Sequence, residues 1–196
     1  MQNDLKPMHE QLALYIRQRI VVNDDELQTI LSYFIPLKSV KNEFLVSQGQ
    51  ASQRMFFVGK GCLRIFFING EGQEATRYLA FENSFATAMV SFITDEPSLE
   101  FIQAVQPTES LYISQKDFRN LLEVIPSWEK FYRSYLENAY VNNTNRLMSF
   151  ITMSATERYC HLLDQNPMVV QRLSNKIVAS YLNISQETLS RLKSKI

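Results

Sequence analysis

Cysteine and histidine are scarce in this sequence, with two of each in 196 residues, and that scarcity excludes whole classes of chemistry. Cys62 and Cys160 are far apart, in segments that read as buried, and form neither a disulfide framework nor a thiolate cluster for zinc or iron and sulfur. His9 and His161 have no partner ligand in step with them, so no metal site and no cofactor are expected. Long apolar runs are also missing. The stretch 63–68 is interrupted by Arg64 and is far too short to cross a bilayer, so no membrane association is expected. The polar start, residues 2–10, gives no signal-peptide pattern, and a reducing cytoplasm fits these features. An excess of one charge is lacking too: 20 basic residues balance 20 acidic ones. That total alone is unpromising for a nucleic-acid binder.

What the chain does have is apolar mass and an uneven distribution of charge. Hydrophobic residues make up 45% and aromatics 12%, enough to fill the cores of one large domain and a small one. From Gln171 onward the charges are Arg172, Lys176, Arg191, Lys193 and Lys195 against Glu187 alone, so the end is basic and the acidic excess lies upstream. The same end, residues 174–196, reads as two short amphipathic helices around a tight corner. Ser174 and Ser185 are N-caps. Ile177, Val178, Tyr181 and Leu182 share one face, Ala179 is small enough for the helices to cross closely, and Asn183 tolerates the left-handed turn. In the second helix Thr188, Leu189, Leu192 and Ile196 gather on one arc at about 100° per residue. Gln186, Glu187, Ser190, Arg191 and Ser194 lie opposite, with Lys193 and Lys195 on the flanks. Such a face suits base edges bordered by phosphates, as a helix in a major groove requires.

Upstream, residues 9–34 carry two helical segments, with Leu12, Ile16 and Ile20 in the first and Leu27, Ile30, Leu31 and Phe34 in the second; Pro36 is expected to end the second. From Val40 short β-like runs follow at residues 44–46, 55–58, 62–68, 75–81, 101–105 and 111–113, the pattern of an antiparallel roll. Turns fall at 47–50, 59–61 and 69–72, where Asn69-Gly70 is a hairpin signal. Helical period returns at 117–124, at 128–153 and at 156–165, and residues 168–173 link to the terminal pair. In the long helix, Trp128, Tyr132, Tyr135, Ala139, Asn142, Arg146 and Phe150 form a mixed seam expected to pair two copies, Asn142 and Arg146 fixing register, against the alternative that it packs on the chain's own roll; both hold if different faces are used.

A β-roll, a long helix and a terminal helix-turn-helix in this order resemble the cAMP receptor protein/Fnr (Crp/Fnr) family of bacterial transcription regulators. Residues 184–191, Ile-Ser-Gln-Glu-Thr-Leu-Ser-Arg, resemble the family's recognition-helix motif, and the stretches 47–50 and 59–64 are similar to turns and strands of its roll. The resemblance implies an α+β fold: an antiparallel cyclic-nucleotide-binding-like β-roll (a jelly roll) with N-terminal helices over 1–125, a dimerisation helix over 126–153 and a DNA-binding helix-turn-helix over 154–196. It implies Gln186, Glu187 and Arg191 as base readers and Ser174 and Lys176 as phosphate contacts; Ser185, Ser190, Lys193 and Lys195 complete the DNA-binding set. RNA polymerase is a partner by the same resemblance.

The sequence departs from the family where cyclic nucleotides bind. The segment 81–86 matches the short helix that carries Gly-Glu for the ribose, and Ser98 stands near the place of the phosphate-binding Arg, beside Glu100. A phosphate there would lack a cation, so cAMP and cGMP are not expected to bind in the family's manner. An unidentified effector in the roll, lined by Phe66, Phe67, Tyr78, Phe81, Phe85 and Phe92, stays open, against the reading that these rings are core. No residues follow Ile196 to supply the β-wing of many members, which is expected to weaken affinity more than base choice. The expected function is a non-enzymatic, homodimeric DNA-binding regulator reading a pseudo-palindromic site. Two alternatives compete: a ligand-sensing roll whose terminal helices contact protein, and a small cupin-like enzyme. The strands carry no histidine for the enzyme, and Glu43, Glu74, Glu82 and Glu100 read as turn or surface charges.

Overall fold

The computed structural model describes residues 6–195, and the chain divides into two compact units. The first comprises Met1–Ile65 and Leu79–Leu136 so far as they are described, the second Phe66–Tyr78 and Glu137–Ile196.

In the first unit, α1 (Lys6–Arg17) and α2 (Asp24–Ser32) precede a set of strands, two of which run on into residues 66–78 of the second unit. Asn23 caps α2 by accepting from Glu26 N at 2.8 Å, and Asp24, Asp25 and Glu26 place negative charge in the first turn, where the helix dipole favours it. The strands are β1 (Ile35–Ser39), β2 (Phe44–Val46), β3 (Arg54–Lys60), β4 (Leu63–Ile68), β5 (Glu74–Ala80), β6 (Ser84–Ala86), β7 (Phe101–Ala104) and β8 (Thr108–Ser114). They form two four-stranded sheets ordered β1-β8-β3-β6 and β2-β7-β4-β5, the antiparallel roll that the sequence implies. A short helix, α3 (Met89–Thr94), lies between β6 and β7, and α4 (Gln115–Val124) follows β8.

The core of this unit is aromatic. Trp128 and Phe131, from the start of α5 (Pro126–Thr152), are 0% and 2% exposed and stack on each other at 4.9 Å; Phe118 meets Trp128 edge-on at 5.4 Å. Phe57, Phe85 and Phe92 belong to the same cluster. The N-terminal part of α5 is thus anchored by rings rather than by propensity alone.

Several local expectations are corrected. Pro36 does not end a helix: α2 stops at Ser32, and Pro36 sits in β1 opposite Leu111. The strand tolerates it because β1 is the edge of its sheet, where a missing N–H need not break a ladder. The 69–72 turn, by contrast, closes the β4–β5 hairpin as its sequence signals; Asn69 works there through its side chain, whose Oδ1 accepts from Glu71 N and Gln73 N, and the left-handed residue is Gly72 (φ +77). Cys160 is exposed rather than buried, because its helix turns Tyr159 and Leu162 inward instead. Glu100 is buried at 7% exposure, not a surface charge.

The second unit contains the hairpin tip 66–78, the remainder of α5, α6 (Ala155–Gln165), α7 (Pro167–Arg172), α8 (Asn175–Leu182) and α9 (Gln186–Lys193). Ser154 opens α6 with a capping box: its hydroxyl accepts from Glu157 N, and the Glu157 carboxylate accepts from Ser154 N. The bond from Ser154 N, with the Ser154 hydroxyl beside it, holds the Glu157 carboxyl below its usual pKa. The box therefore persists above the normal carboxylate range and opens as pH falls through the lowered value. No helix among the described residues is long and apolar enough to cross a membrane.

Candidate nucleic-acid interface

The corner between α8 and α9 is built as its sequence suggests. Asn183 is left-handed (φ 53, ψ 52), and the next residue, Ile184, donates its N–H to Ala179 O at 3.0 Å, closing the end of α8. Val178, Ala179 and Leu182 are buried. Replacing Asn183 with Ala puts an ordinary Cβ into the left-handed region without the local hydrogen-bonding that makes Asn tolerable there. The expected loss is about 1 kcal/mol of stability in urea unfolding, whereas Asn183→Gly should be close to neutral.

Ser185 caps α9 by accepting from Thr188 N at 3.1 Å. Leu189 and Leu192 turn inward, so Gln186, Glu187, Ser190, Arg191 and Lys195 stand exposed on the helix. Ile196, expected to extend the apolar arc, lies outside the described residues. Glu187 and Arg191 approach to 4.0 Å with side chains 84% and 74% exposed. A pair so open is worth little, so the guanidinium is easily released to another acceptor. Lys193 is half-buried and donates to Asn175 Oδ1 at 2.6 Å, which ties the end of α9 to the start of α8. Ser174 and Lys176 flank Asn175, so the basic edge and the exposed face of α9 are contiguous. Ser174 occupies the N-cap position of α8 with no side-chain cap bond. Lys176 is already engaged, pairing with Glu74 of β5 at 2.7 Å.

Two arginines support this corner: Arg146, expected to set register in the seam of α5 but bonded here within the protomer, and Arg158, which no sequence signal marks. Arg146, from α5, donates to Tyr181 O at 2.6 Å and Thr76 O at 2.9 Å, with its guanidinium over the Tyr181 ring at 4.0 Å and the Phe150 ring at 4.8 Å. Arg158, from α6, donates to Leu182 O at 3.2 Å and Met153 O at 2.7 Å. Two cations therefore cap the last carbonyls of α8, where the helix dipole favours positive charge. Burial pulls the Arg146 pKa down, Tyr181 partly offsets this, and neighbouring Arg77 and Arg158 lower it further. The Thr76 and Ser180 hydroxyls complete the contact between hairpin and α8 at 2.5 Å.

The seam expected to pair two copies is largely consumed inside the protomer. Trp128 is core, Tyr132 and Tyr135 pack against the core, and Arg146 is spent as described. At about 100° per residue, the opposite side of α5 carries Tyr140, Val141, Leu147, Met148 and Ile151, exposed by 73, 53, 59, 49 and 70%. The sequence hid this because both faces contain apolar residues at helical spacing.

In the roll, the short helix lies at Met89–Thr94, beyond the segment 81–86 expected to hold it; Ser84–Ala86 is instead a strand paired with β3, a three-residue element too short to show alternation. None of residues 88–91 is Gly or Glu. Ser98 is buried, donates its hydroxyl to Glu100 O at 2.9 Å and receives Glu100 N at the same distance. Of the six rings proposed to line an effector cavity, Phe66, Phe81, Phe85 and Phe92 are buried in the core. Among the described residues no three His, Cys, Asp or Glu come together as a metal site would require.

Residues 37–124 match the family model described as the cyclic nucleotide-binding domain. No curated protein sequence matches the chain. In fold the chain is similar to CLP, the c-di-GMP responsive global regulator of Xanthomonas campestris, at 16% identity and a TM-score of 0.71, over 88% of this chain and 91% of that one. It is similar to a transcriptional regulator of the Crp/Fnr family from Eubacterium rectale at 16% identity and a TM-score of 0.69, over 87% and 82%. The Thermus thermophilus catabolite activator protein is 22% identical, with a TM-score of 0.58, over 89% and 83%.

Proposed function

From a chain that carries a cyclic nucleotide-binding domain in the fold of the Crp/Fnr regulators, we propose a DNA-binding transcription regulator that acts as a homodimer in the cytoplasm. The observation that carries this reading is the outward face of α9: Gln186, Glu187, Ser190 and Arg191 are exposed, over a helix pinned by Leu189 and Leu192. Glu187 accepts from a cytosine amino group and Arg191 donates to guanine. Ser174, Ser185, Lys193 and Lys195 touch the phosphates, joined by Lys176 once it leaves Glu74. Two copies joined along α5 place their α9 helices in successive major grooves about 34 Å apart, on a pseudo-palindromic site. The roll (1–125) biases the pose of the helix-turn-helix (154–196) through the long helix (126–153), and RNA polymerase is the downstream partner. The Ser98 hydroxyl is spent on the Glu100 backbone, and residues 97–100 include no Arg or Lys, which supports a regulator that does not answer to cAMP.

Selection of bound duplexes from a random library tests the reading. The expected product is one half-site recovered twice with dyad symmetry. Arg191→Ala should cost roughly 1–3 kcal/mol and relax preference at one base pair of each half-site. Unselected sequences, or an Arg191→Ala protein with unchanged preference in an anisotropy titration, would reject it. The competing reading, in which α8 and α9 contact protein, predicts no steep fall of DNA affinity with salt.

A further inference from the structure

One cation of the proposed DNA surface is held by a carboxylate from far along the chain. Arg191 faces Glu187 four residues before it on α9, but Lys176 donates to the Glu74 carboxylate of β5 at 2.7 Å, across 102 residues. The two side chains are unequal partners, Lys176 being 61% exposed and Glu74 only 23%. The carboxylate is thus the seated member, and the ammonium, on its flexible four-carbon stem, is the one able to swing. A second contact stands in register with the first. Glu74 and Thr76 are two residues apart on a strand, about 6.6 Å along one face. Lys176 and Ser180 are four apart on a helix, about 6 Å along one face. Because these steps match, α8 lies along β5, and the Thr76 and Ser180 hydroxyls meet at 2.5 Å. Ser180 spends its own proton on Ile177 O at 2.9 Å, which leaves Thr76 as the donor. Arg146, bonded to both Thr76 O and Tyr181 O, closes the same seam from α5.

We propose that Glu74 is an internal stand-in for a DNA phosphate: it occupies Lys176 in the free protein, so that the β4–β5 hairpin and DNA compete for one ammonium. The inference rests on the DNA-binding role proposed for α8 and α9 and adds a brake to it. The Thr76 hydroxyl and the Arg146 bonds involve no group assigned to DNA, so the hairpin stays seated on α8 while the ion pair exchanges. An ion pair this open holds its lysine weakly. The brake therefore trims affinity rather than abolishing it, and added salt releases it. By linkage, DNA loosens the pair by the same factor by which the pair weakens DNA.

Anisotropy titrations of whole proteins, with the duplex recovered by selection and with a random-sequence duplex at several salt concentrations, test the competition. Glu74→Gln should bind both duplexes about two- to fivefold tighter at low salt, the range that an exposed ion pair spans. Its affinity should also fall more steeply with salt, by close to one further counterion released. Lys176→Gln should bind more weakly than the parent, and adding Glu74→Gln to it should change nothing further, because no ammonium is left to free. A gain that survives undiminished in the Lys176→Gln background would make Glu74 a mere negative charge near the duplex and overturn the proposal. A second readout uses no DNA. Acetylation of Lys176 by acetic anhydride, followed by mass spectrometry, should run about two- to fivefold faster in Glu74→Gln, as the amine loses the partner that favours its charged form. Equal rates would show that the pair does not hold Lys176 and would also overturn it. Failure of the parent and all variants to bind either duplex would reject the regulator reading and the competition with it. Equal DNA affinities for the parent and Glu74→Gln would reject the competition alone.

Discussion

Replacing Leu147 and Ile151 together with Asp is expected to convert the protein to a monomer and to lower its affinity for a two-half-site duplex by about 100- to 10,000-fold, the usual gain from linking two binding modules. Both side chains are exposed in the protomer, by 59 and 70%, so the change removes no contact that folds the chain. Asp costs α5 only a fraction of a kcal/mol per site through helix propensity. In the proposed dimer the same side chains leave water. Burying a Leu, Ile, Val or Met side chain contributes about 1.5–3 kcal/mol, and the stripe of Tyr140, Val141, Leu147, Met148 and Ile151 is presented twice across a symmetry axis. That sum, reduced by the part of each side chain already covered, is of the same order as the 4–15 kcal/mol that association costs, so four inserted carboxylates facing one another tip the balance to the monomer. Asn145→Asp, exposed on the flank of the same helix, is the control and should stay dimeric. Sedimentation and an anisotropy titration on the same samples decide it: a double variant that still sediments as a dimer would place the interface elsewhere.

That face of α5 marks the limit of what was legible in the sequence. Elements with strong local signals were readable because their causes are local: the cap at Ser185, the corner at Asn183 and the short apolar runs of β2, β3, β4, β5, β7 and β8 between turn residues. The exposed set on α9 was readable too, since Leu189 and Leu192 alone fix which side turns inward. The short elements β1, β6, α3 and α7 were not, having three to six residues each and too little pattern to show a period. Which of two apolar faces of α5 packs at home depends on residues some seventy positions away, because Thr76 is one of the partners that hold Arg146. Spacing along one helix carries no information about such a partner. For the same reason Glu100 and Cys160 changed places between surface and interior: each sits beside apolar neighbours in sequence, and only the packing decides which residue points in.

Arg146→Met is expected to destabilise the second unit by roughly 2–4 kcal/mol. Hydrogen bonds from a charged donor contribute about 1.5–3 kcal/mol each, and Arg146 makes two, to Tyr181 O and Thr76 O. Methionine keeps most of the packing against Tyr181 and Phe150 but leaves both carbonyls without that donor. Part of the loss is returned, because the guanidinium is held in a site where burial disfavours its charge, and this brings the expectation below the simple sum. Arg146→Lys should fall between the two proteins: it retains the charge but not the planar face that lies 4.0 Å over Tyr181. Urea unfolding followed by far-ultraviolet dichroism gives the magnitude. The Trp128 fluorescence, a reporter buried in the first unit, shows whether that unit keeps its own transition. If the clamp aims α9 as well as stabilising it, the Met variant also loses DNA affinity under conditions where it remains folded, and the Lys variant loses less. Equal unfolding midpoints for all three proteins would mean that Asn183 and the buried Val178, Ala179 and Leu182 hold the corner without help from either hairpin or long helix.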